Sequence, residues 1–579
     1  MQIKQCITAV SIALLAAACS TDGQSALDVI ATDTQTIDTA ADMEADVPLD
    51  VGTTDLAEED IPVPVDVEHP PLCTPGAAAC ASVTSRHICD PTGLAYLDPE
   101  SCAAGSRCTL GVCGPACPTN PKFGVYAGCQ YWATDLPNYP DPTMNPTPEN
   151  LPWAIVVSNP GETAVTVGFE MPPLMTWAPV DDVVPPGVSV VFELPNINVQ
   201  GTSQGRFGVH LVASGPILAH QFNPWDSGFS NDASSLLPDP LLGTDHVILS
   251  WPTSPFDLVQ IPGLPTPPNQ NGYFTVIAAY DDTRVTFQTS APVRNAPNFI
   301  GMNVGQLRTV TLQRGEVLSV QGDPGRLVEV ADMTGTRVSA DKPIAVFGGH
   351  EQALIGDPPP QDPIDPENTK SLCCADHLEA QMLPTTLLGT TYFAIKSPPR
   401  GTTTIEPDFW RIQAADNGVT ITTDPPQAGA SGRVLTKKGD FVQIKTAASF
   451  QVNATGPIQI GQYLVSQGAT EDFIGDPSLM VLVPAARFRR DYAFMLPDEG
   501  YRKLWASIVR EIGQAVTIDG SPVAARFAQV GSTGWEYAWV ELAAGVHEAS
   551  SAKRFGLNLY GYGKAVSFSF AGGIAGPRE

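Results

Sequence analysis

An internal repeat is the feature that most limits how this 579-residue chain can fold. Its marker is a proline followed by isoleucine at the start of an apolar segment, as in GPILAHQF, KPIAVFGG and GPIQIGQY. The three prolines are Pro216, Pro343 and Pro457, and we place a diverged fourth copy at KAVSFSFAGG near the C terminus. Because a regular period indicates one supersecondary unit used several times, the pattern predicts four copies.

Each copy has the pattern of a small all-β unit. Before each marker lie two alternating or apolar segments joined by a turn rich in Asp, Asn or Gly, which is typical of a hairpin. We therefore predict tandem repeated β-sandwich-like units, with a propeller-like ring of four units as the alternative. Each marker proline is predicted to be the first residue of a strand, where no ladder hydrogen bond is lost. The predicted repeats cover about residues 122–240, 241–384, 385–484 and 485–579 of a body that spans 122–579.

Cysteines are concentrated in a short segment before this body. Residues 71–121 are poor in large apolar side chains and are too few to fold without crosslinks. They contain no Cys-x-x-Cys pair and His87 is their single histidine, so disulfides are favoured over zinc. The segment contains seven cysteines, and because seven is odd, one of them or Cys129 must pair across the boundary with the body. The connectivity is left open. The predicted disulfide cysteines are Cys73, Cys80, Cys89, Cys102, Cys108, Cys113, Cys117, Cys129, Cys373 and Cys374.

The segment 19–70 has a composition that cannot form a core. It contains acidic residues throughout, no Lys or Arg, and no aromatic residue. Such a segment buries too little apolar surface to offset chain entropy, so we predict an extended, disordered tether. The net charge of the whole chain, −30, argues against nucleic acid as a partner, because phosphate binding requires Lys and Arg patches.

The first 18 residues have the pattern of an export signal. Lys4 precedes an apolar run that is too short to span a bilayer, and Ala16, Ala17 and Ala18 stand before Cys19. This arrangement resembles a bacterial lipobox, whose cysteine becomes the lipidated first residue. The resemblance implies a signal peptide at 1–18 and lipidation of Cys19, with membrane contact through that lipid anchor. Ser20 implies outer-membrane sorting, so we expect an outer-membrane lipoprotein exposed at the cell surface.

The second copy carries a more specific resemblance. The strings VEVADMTGTRVSADKPIAVFGGHE and CADHLEAQMLPTTLLGTTYF are similar to the N-terminal domain of the IgGFc-binding protein family. That domain occurs in an animal mucus glycoprotein and in bacterial surface proteins, and the likeness extends over roughly 122–575. The Cys-rich segment is similar to short modules of exported myxobacterial proteins. The residues that match the family pattern are Asp332, Thr334, Gly335, Thr336, Lys342, Pro343, Gly349, His350, Cys374 and His377.

One departure from the family changes a disulfide. Gln352 lies where the family usually has a cysteine, and Cys373 precedes Cys374, so a vicinal bond or a bond to Cys129 remains. Five residues near this junction could bind a metal if the intervening loop brings them together, and the alternative is a hydrogen-bonded loop. We assign no metal, no cofactor and no catalytic residue. The five candidates are His350, Glu351, Asp376, His377 and Glu379.

Two functions are compatible with these patterns. The first is a surface-anchored, non-enzymatic binding or adhesion protein that recognises an extracellular protein or glycan. The alternative is an exported hydrolase that acts on polysaccharide or protein, which would require paired carboxylates in a cleft. A cleft lined with tryptophan and acids would favour the hydrolase, whereas a flat surface with aromatic side chains on its loops would favour binding.

Overall fold

The computed structural model describes most of the body and much of the Cys-rich segment. The described residues are 73, 75–82, 85–103, 106–109, 112–115, 117–141, 144–171, 182–225, 228, 230–254, 268–323, 331–357, 374–497 and 500–577. The predicted signal peptide, Cys19, the tether and Cys373 lie outside them. Within these residues no helix is long and apolar enough to cross a membrane.

The Cys-rich segment is a pair of small β structures joined by disulfides. Its strands are Ala78–Ser82 (β1), Ser85–Ile88 (β2), Glu100–Ser101 (β3), Ser106–Thr109 (β4) and Val112–Pro115 (β5), with β1, β2 and β3 in one sheet and β4 and β5 in a hairpin. The bonds seen are Cys73–Cys89, Cys102–Cys113 and Cys117–Cys129. The last bond crosses into the body. It also excludes Cys129 as the partner of Cys374, which is itself disulfide-bonded.

Four sheets of seven or eight strands follow, and we call them units one to four. Unit one contains β6 (Gly128–Ala133), β7 (Trp153–Ser158), β8 (Val165–Glu170), β9 (Asp182–Val184), β10 (Ser189–Leu194), β12 (Val209–Asn223) and β13 (Asp232–Ser235), while β11 (Ser203–Gly205) joins unit two. Unit two contains β14 (Gly243–Val247), β15 (Gly272–Ala278), β16 (Thr283–Gln288), β17 (Leu307–Leu312), β18 (Val317–Gln321), β19 (Arg337–Ala353) and β20 (Asp376–Gln381). Unit three contains β21 (Gly389–Ala394), β22 (Asp408–Ala414), β23 (Val419–Asp424), β24 (Val434–Leu435), β25 (Phe441–Thr446), β26 (Phe450–Tyr463) and β27 (Leu479–Val481). Unit four contains β28 (Arg489–Leu496), β29 (Tyr501–Glu511), β30 (Val516–Ile518), β31 (Ser521–Pro522), β32 (Ala528–Gln529), β33 (Trp535–Leu542), β34 (Gly545–Gly563) and β35 (Ser567–Ala571).

The helical content of the described residues is small. It consists of short 3₁₀ turns at Pro148–Asn150, Asp239–Leu241, Thr385–Leu387, Gln467–Ala469 and Ala485–Arg487. The predicted all-β class with repeated units and a preceding disulfide-rich segment is therefore confirmed.

Each unit is built around one long strand that changes partners halfway. In unit one, β12 pairs with β8 through His210–Ala213 and with β7 through Leu218–Phe222. Strands β19, β26 and β34 are shared between two partners in the same way. The long strand thereby belongs to two half-sheets and curls the unit around an apolar core, as strands do at the corners of orthogonally packed sheets.

The marker prolines lie inside these long strands, so the prediction that each begins a strand is wrong. Pro216 falls where the register between β12 and β6 shifts, between Val212 and Ile217. Pro343 and Pro457 lie at the corresponding change of partner in β19 and β26. A proline is tolerated at such a position because the irregularity in the ladder needs no N–H there.

The predicted position of the fourth marker, in KAVSFSFAGG, is also wrong. Phe555 in β34 pairs with Arg489 as Ile217 in β12 pairs with Gly128, so β34 is the long strand of unit four. The segment KAVSFSFAGG instead contains β35, which pairs with β34. Arg554 precedes Phe555 where the other units have proline, so the marker is missing from the true fourth copy.

Recurrent contacts hold each opening strand to its long strand. The hydroxyls of Tyr131, Tyr392 and Tyr492 donate to the carbonyls of Ile217, Ile458 and Phe555, respectively. Neighbouring units meet through glycines: a Cβ added to Gly128, Gly243 or Gly389 would lie 2.3, 2.4 or 2.7 Å from the Cβ of Pro238, Pro384 or Pro484. Only glycine leaves room for a proline ring at that distance.

The four units close into a ring. The short strands that end each unit contact one another in cyclic order, β13 with β20, β20 with β27, β27 with β35, and β35 with β13. Unit four also contacts the start of the body, where Lys122 Nζ lies 2.7 Å from Glu548 Oε2. The arrangement is the ring of four units that the sequence left as an alternative to separate sandwiches.

Candidate functional site

The five metal-ligand candidates do not converge on one point. His377 and Glu379 project from one face of β20, whereas Asp376 projects from the opposite face. His350 Nε2 lies 3.1 Å from the carbonyl of Pro252, while Glu351 accepts hydrogen bonds from the backbone of Asn271. In the described part of the chain, no group of three or more His, Cys, Asp or Glu residues is arranged to hold a metal ion.

Burial leaves the acids of this junction without charge. Burial is the largest influence on Glu351 and Glu379 and raises the pKa of each to about 8. Burial also lowers the pKa of His377 to about 3, so its imidazole is neutral 3.6 Å from Glu379 Oε2. Neutral groups that hydrogen-bond to their neighbours serve the packing of the ring and do not offer a charged site.

A buried aspartate near the ring axis connects three of the four units. Asp232 in β13 accepts hydrogen bonds from the backbone N–H groups of Glu379 (3.1 Å) and Leu479 (2.9 Å), and from the Ser478 hydroxyl (2.8 Å). Its side chain therefore joins units one, two and three. Burial raises its pKa well above the ordinary value, against the opposing effect of these hydrogen bonds.

The cavity beside this aspartate is small. It has a volume of about 40 Å³ and is lined by residues from all four central strands and by Tyr126. A space of that size admits a few water molecules at most. The ring axis therefore serves to hold the units together and leaves no room for a substrate.

The two cavities of the ring can be compared with the pair of carboxylates that a hydrolase requires. Asp376 and Asp476 influence each other, but both are fully buried, and burial raises the pKa of each. A second, open cavity of about 360 Å³ lies on unit two, and Asp323 is the one acid among the described residues that line it, 2.8 Å from Arg294 Nε. Neither cavity is lined by the carboxylate pair that glycoside hydrolysis uses.

The family-like turn at Asp332–Thr336 forms an interface between units. The backbone N–H of Thr334 donates to Asp332 Oδ1, which shapes the turn, and Gly335 has φ +101°. A Cβ on Gly335 would lie 3.0 Å from the carbonyl of Gly439 in unit three. The carboxylate of Asp332 also accepts a hydrogen bond from the buried side chain of Arg411, 2.9 Å away. The motif thus joins units two and three.

Among the described residues of unit two, the exposed large apolar side chains lie on one loop and its base, which sequence reasoning missed. Residues 289–306 connect β16 and β17 as an irregular hairpin, with bridges between Val293 and Met302 and between Ala296 and Phe299. The corresponding connection in unit four consists of residues 519–520 alone. Three apolar side chains project from the long loop and its base: Ile300 is 77% exposed, Val304 60% and Leu307 64%.

We call Ile300, Val304 and Leu307 the apolar patch. At the base of the same loop, Arg308 lies 4.2 Å from the centre of the Phe299 ring, and this stacking helps to hold the loop in place. Three exposed aliphatic side chains within residues 300–307 make this loop a candidate protein-binding surface. The available sequence signal was the apolar content of FIGMNVGQL within a loop rich in Asn and Gly.

The Cys-rich segment rests on the boundary between units one and two. His87 stacks on Tyr96 with ring centres 3.7 Å apart, and its Nε2 lies 3.9 Å from Asp281 of unit two. The amide of Gln130 in β6 donates to the carbonyl of Cys108. Together with the Cys117–Cys129 bond, these contacts attach the segment to the ring.

The fold and its surface define a ring of curled β-sheets with a disulfide-bonded segment attached and an exposed apolar loop. The chain belongs to the IgGFc-binding protein family, whose family model matches residues 232–561. A human protein, IgGFc-binding protein, is 24% identical over 344 residues, which make up 58% of this chain and 6% of the human protein. The chain thus corresponds to a small part of that relative. The family is named for binding rather than for catalysis.

Proposed function

We propose that this chain is a non-enzymatic binding protein that recognises an extracellular protein through the apolar patch on unit two. Membership of a binding family supports the general function, and the exposure of Ile300, Val304 and Leu307 is the observation that carries the location. Aliphatic side chains of this kind favour a protein partner over a glycan, because glycans are recognised chiefly by hydrogen-bonding groups. The predicted anchor at Cys19 would hold the ring at the outer surface of the cell.

Binding can be tested with the full chain on an array of extracellular proteins and glycans, including the Fc fragment of IgG. For a protein that binds, the variant Ile300→Asp/Val304→Asp/Leu307→Asp is expected to bind at least about tenfold more weakly, since central apolar contacts dominate interface energetics. Ile512→Asp provides a matched control, because Ile512 is 53% exposed on unit four.

The outcomes separate the alternatives. Equal binding by the wild type and the triple variant would remove the apolar patch from the proposal. Cleavage of a polysaccharide or protein on the array, with no stable binding, would favour the hydrolase instead.

The anchor is tested separately by replacing one residue. Cys19→Ala is expected to release the protein from the membrane fraction into the periplasm or medium, because the acyl chains supply the membrane affinity. Retention of this variant in the membrane fraction would contradict the lipoprotein assignment.

A further inference from the structure

Unit three contains a lysine that is buried beside two acids. Lys396 follows β21, and its side chain is 1% exposed. Its Nζ lies 3.1 Å from Asp408 Oδ1 and 3.4 Å from Glu406 Oε1, and both of these acids have fully buried side chains. Lysine is almost never fully buried, and taking an ammonium group and its partners out of water is costly. An interior with this composition therefore requires an explanation.

The carboxyl group of Asp408 is held in one orientation. Its Oδ2 accepts hydrogen bonds from the backbone N–H of Ser397 (2.8 Å) and from the amide of Gln462 (2.5 Å). Its Oδ1 faces Lys396 Nζ and accepts a hydrogen bond from the Ser397 hydroxyl. One oxygen thus rests between two fixed donors, which is the arrangement that stabilises the oxyanion of a tetrahedral intermediate. The other oxygen lies on the side of the amine.

Glu406 is placed to move a proton between the reacting atoms. Its Oε1 contacts Lys396 Nζ and also accepts a hydrogen bond from Arg400 Nε at 3.2 Å. Arg400 is itself fully buried and lies 5.3 Å from the centre of the Tyr562 ring. The indole N–H of Trp539 donates to the carbonyl of Lys396 and fixes the backbone at this point.

We propose that Lys396 and Asp408 join in an intramolecular amide bond. Glu406 takes a proton from the Lys396 ammonium group, and the freed Nζ attacks Cγ of Asp408 to form the C–N bond. The Cγ–Oδ1 bond then breaks, and Oδ1 leaves as water after it receives the proton carried by Glu406 and the second proton lost from Nζ. An ammonium group and a carboxylate become one secondary amide and one water molecule, so the step requires no oxidant, activator or cofactor.

The surroundings favour the product. Before the reaction the network contains two buried cations and two buried anions, and afterwards it contains only the Arg400–Glu406 pair. The amide removes the cost of burying two charges and replaces it with a neutral group whose carbonyl keeps the donors of Ser397 and Gln462. The bond would close the loop 396–408 and fix the start of β22 to the end of β21.

Peptide mapping of the full chain tests the proposal directly. Trypsin cuts after Lys396, Arg400 and Arg411, so the unmodified chain gives Lys396 and Asp408 in separate peptides. After reduction of the disulfides, we expect one branched peptide in which cleavage after Lys396 is blocked. Its mass should equal the sum of the masses of peptides 371–400 and 401–411 minus one molecule of water, and fragmentation should place the link between Lys396 and Asp408.

An internal control and two variants complete the experiment. Lys438 contacts Asp245 at 2.5 Å, but this pair is partly exposed, with side-chain exposures of 21% and 40%, so its peptides should remain unlinked. Lys396→Arg keeps the positive charge but should give no link, and Glu406→Gln should slow link formation at least about a hundredfold. Unlinked Lys396 and Asp408 peptides from natively folded wild-type protein would overturn the proposal. So would a Glu406→Gln variant that links as fast as the wild type.

Discussion

Two glutamates in this ring, one half-buried and one fully buried, have opposite protonation states. Glu170 is half-buried at the boundary between units one and two, and desolvation raises its pKa, but His210 and Arg314 act more strongly together and hold its pKa at about 2. Its Oε2 lies 3.0 Å from His210 Nδ1 and also contacts Arg314. Glu379 lies beside the ring axis, where its Oε2 accepts a hydrogen bond from the amide of Gln221 and lies 3.6 Å from the neutral imidazole of His377. Burial raises its pKa to about 8.

The difference shows that basic partners within contact distance can outweigh the desolvation of a half-buried acid, whereas desolvation prevails for a fully buried acid beside neutral partners. The two cases affect stability in opposite directions. The stabilising effect of Glu170 is present above its ordinary pKa of 4.5 and is lost as the pH falls toward 2. The contribution of Glu379 is fully present below 4.5 and is lost as the pH rises through about 8, because the folded protein retains the proton.

We expect the largest loss of stability when Arg411, a buried arginine of unit three that pairs with Asp332 of unit two, is replaced. Arg411→Met removes the partner of Asp332, hydrogen bonds to Ser250 and Thr334, and stacking against Trp251. Removal of one partner from a buried pair costs about 3–5 kcal/mol in free energy of unfolding. Denaturant titration at pH 7 measures this loss.

A surface pair provides the control for Arg411. Lys445→Met removes the partner of Asp357, but the two side chains are 38% and 69% exposed, so we expect a loss of about 1 kcal/mol or less. If the two variants lost the same free energy, the contrast between buried and exposed cations would be wrong.

The second prediction concerns the stability contribution of Glu379, which stays protonated in the folded protein at neutral pH. Glu379→Gln retains the shape and the contact with Gln221 but removes the titrating group. The wild-type protein should lose about 4 kcal/mol more than this variant between pH 4.5 and pH 8. Free energies of unfolding at several pH values in this window provide the measurement. Parallel profiles for the two proteins would show that Glu379 is ionised in the folded ring.

The third prediction concerns Glu170, whose ionised carboxylate stabilises the folded protein as the pH rises, opposite to Glu379. Glu170→Gln should lower the free energy of unfolding by about 2 kcal/mol at pH 7 and have no such effect at pH 2. The variant leaves His210 and Arg314 in place, so the comparison isolates the carboxylate. A variant that is destabilised equally at both pH values would indicate a packing defect instead of a lost ion pair.

Much of the fold could be predicted from the sequence because it repeats local patterns. The strands before Pro216, Pro343 and Pro457 follow from alternation and turn residues. The predicted hairpins are wrong, however, because in each unit the long strand lies between these two strands and pairs with both. The fourth copy was misplaced because Arg554 replaces the proline, and pairing of β34 is determined by contacts that a local pattern does not contain. The same limit applies to the prolines, whose position at a change of strand partner depends on two half-sheets.

The candidate sites were harder to predict because they depend on which faces meet. The five metal-ligand candidates lie on the neighbouring strands β19 and β20, yet their side chains have different partners. His377 contacts the hydroxyl of Tyr273, His350 the carbonyl of Pro252, and Glu351 the backbone of Asn271. The turn at Asp332 was recognised, but its partner Arg411 lies in another unit, and no local spacing indicates it. Lys396 gave only a weak signal, a lysine between the apolar YFAI and the turn residues SPP.

The smallest effect on stability is expected at Glu471, an exposed glutamate whose pKa is lowered by hydrogen bonds. It extends the comparison to an acid that is neither buried nor held by a cation. Glu471 is exposed, yet hydrogen bonds from the Thr403 hydroxyl and from the backbone N–H groups of Thr404, Thr403 and Thr402 hold its pKa at about 2. Its stabilising effect should therefore be present above pH 4.5 and be lost toward pH 2, as for Glu170. Glu471→Gln should weaken this dependence by less than Glu170→Gln, since solvent screens the interaction. Nuclear magnetic resonance titration of the Glu471 carboxyl carbon tests the cause, and an ordinary titration near pH 4.5 would show that hydrogen bonds without a cation do not suffice.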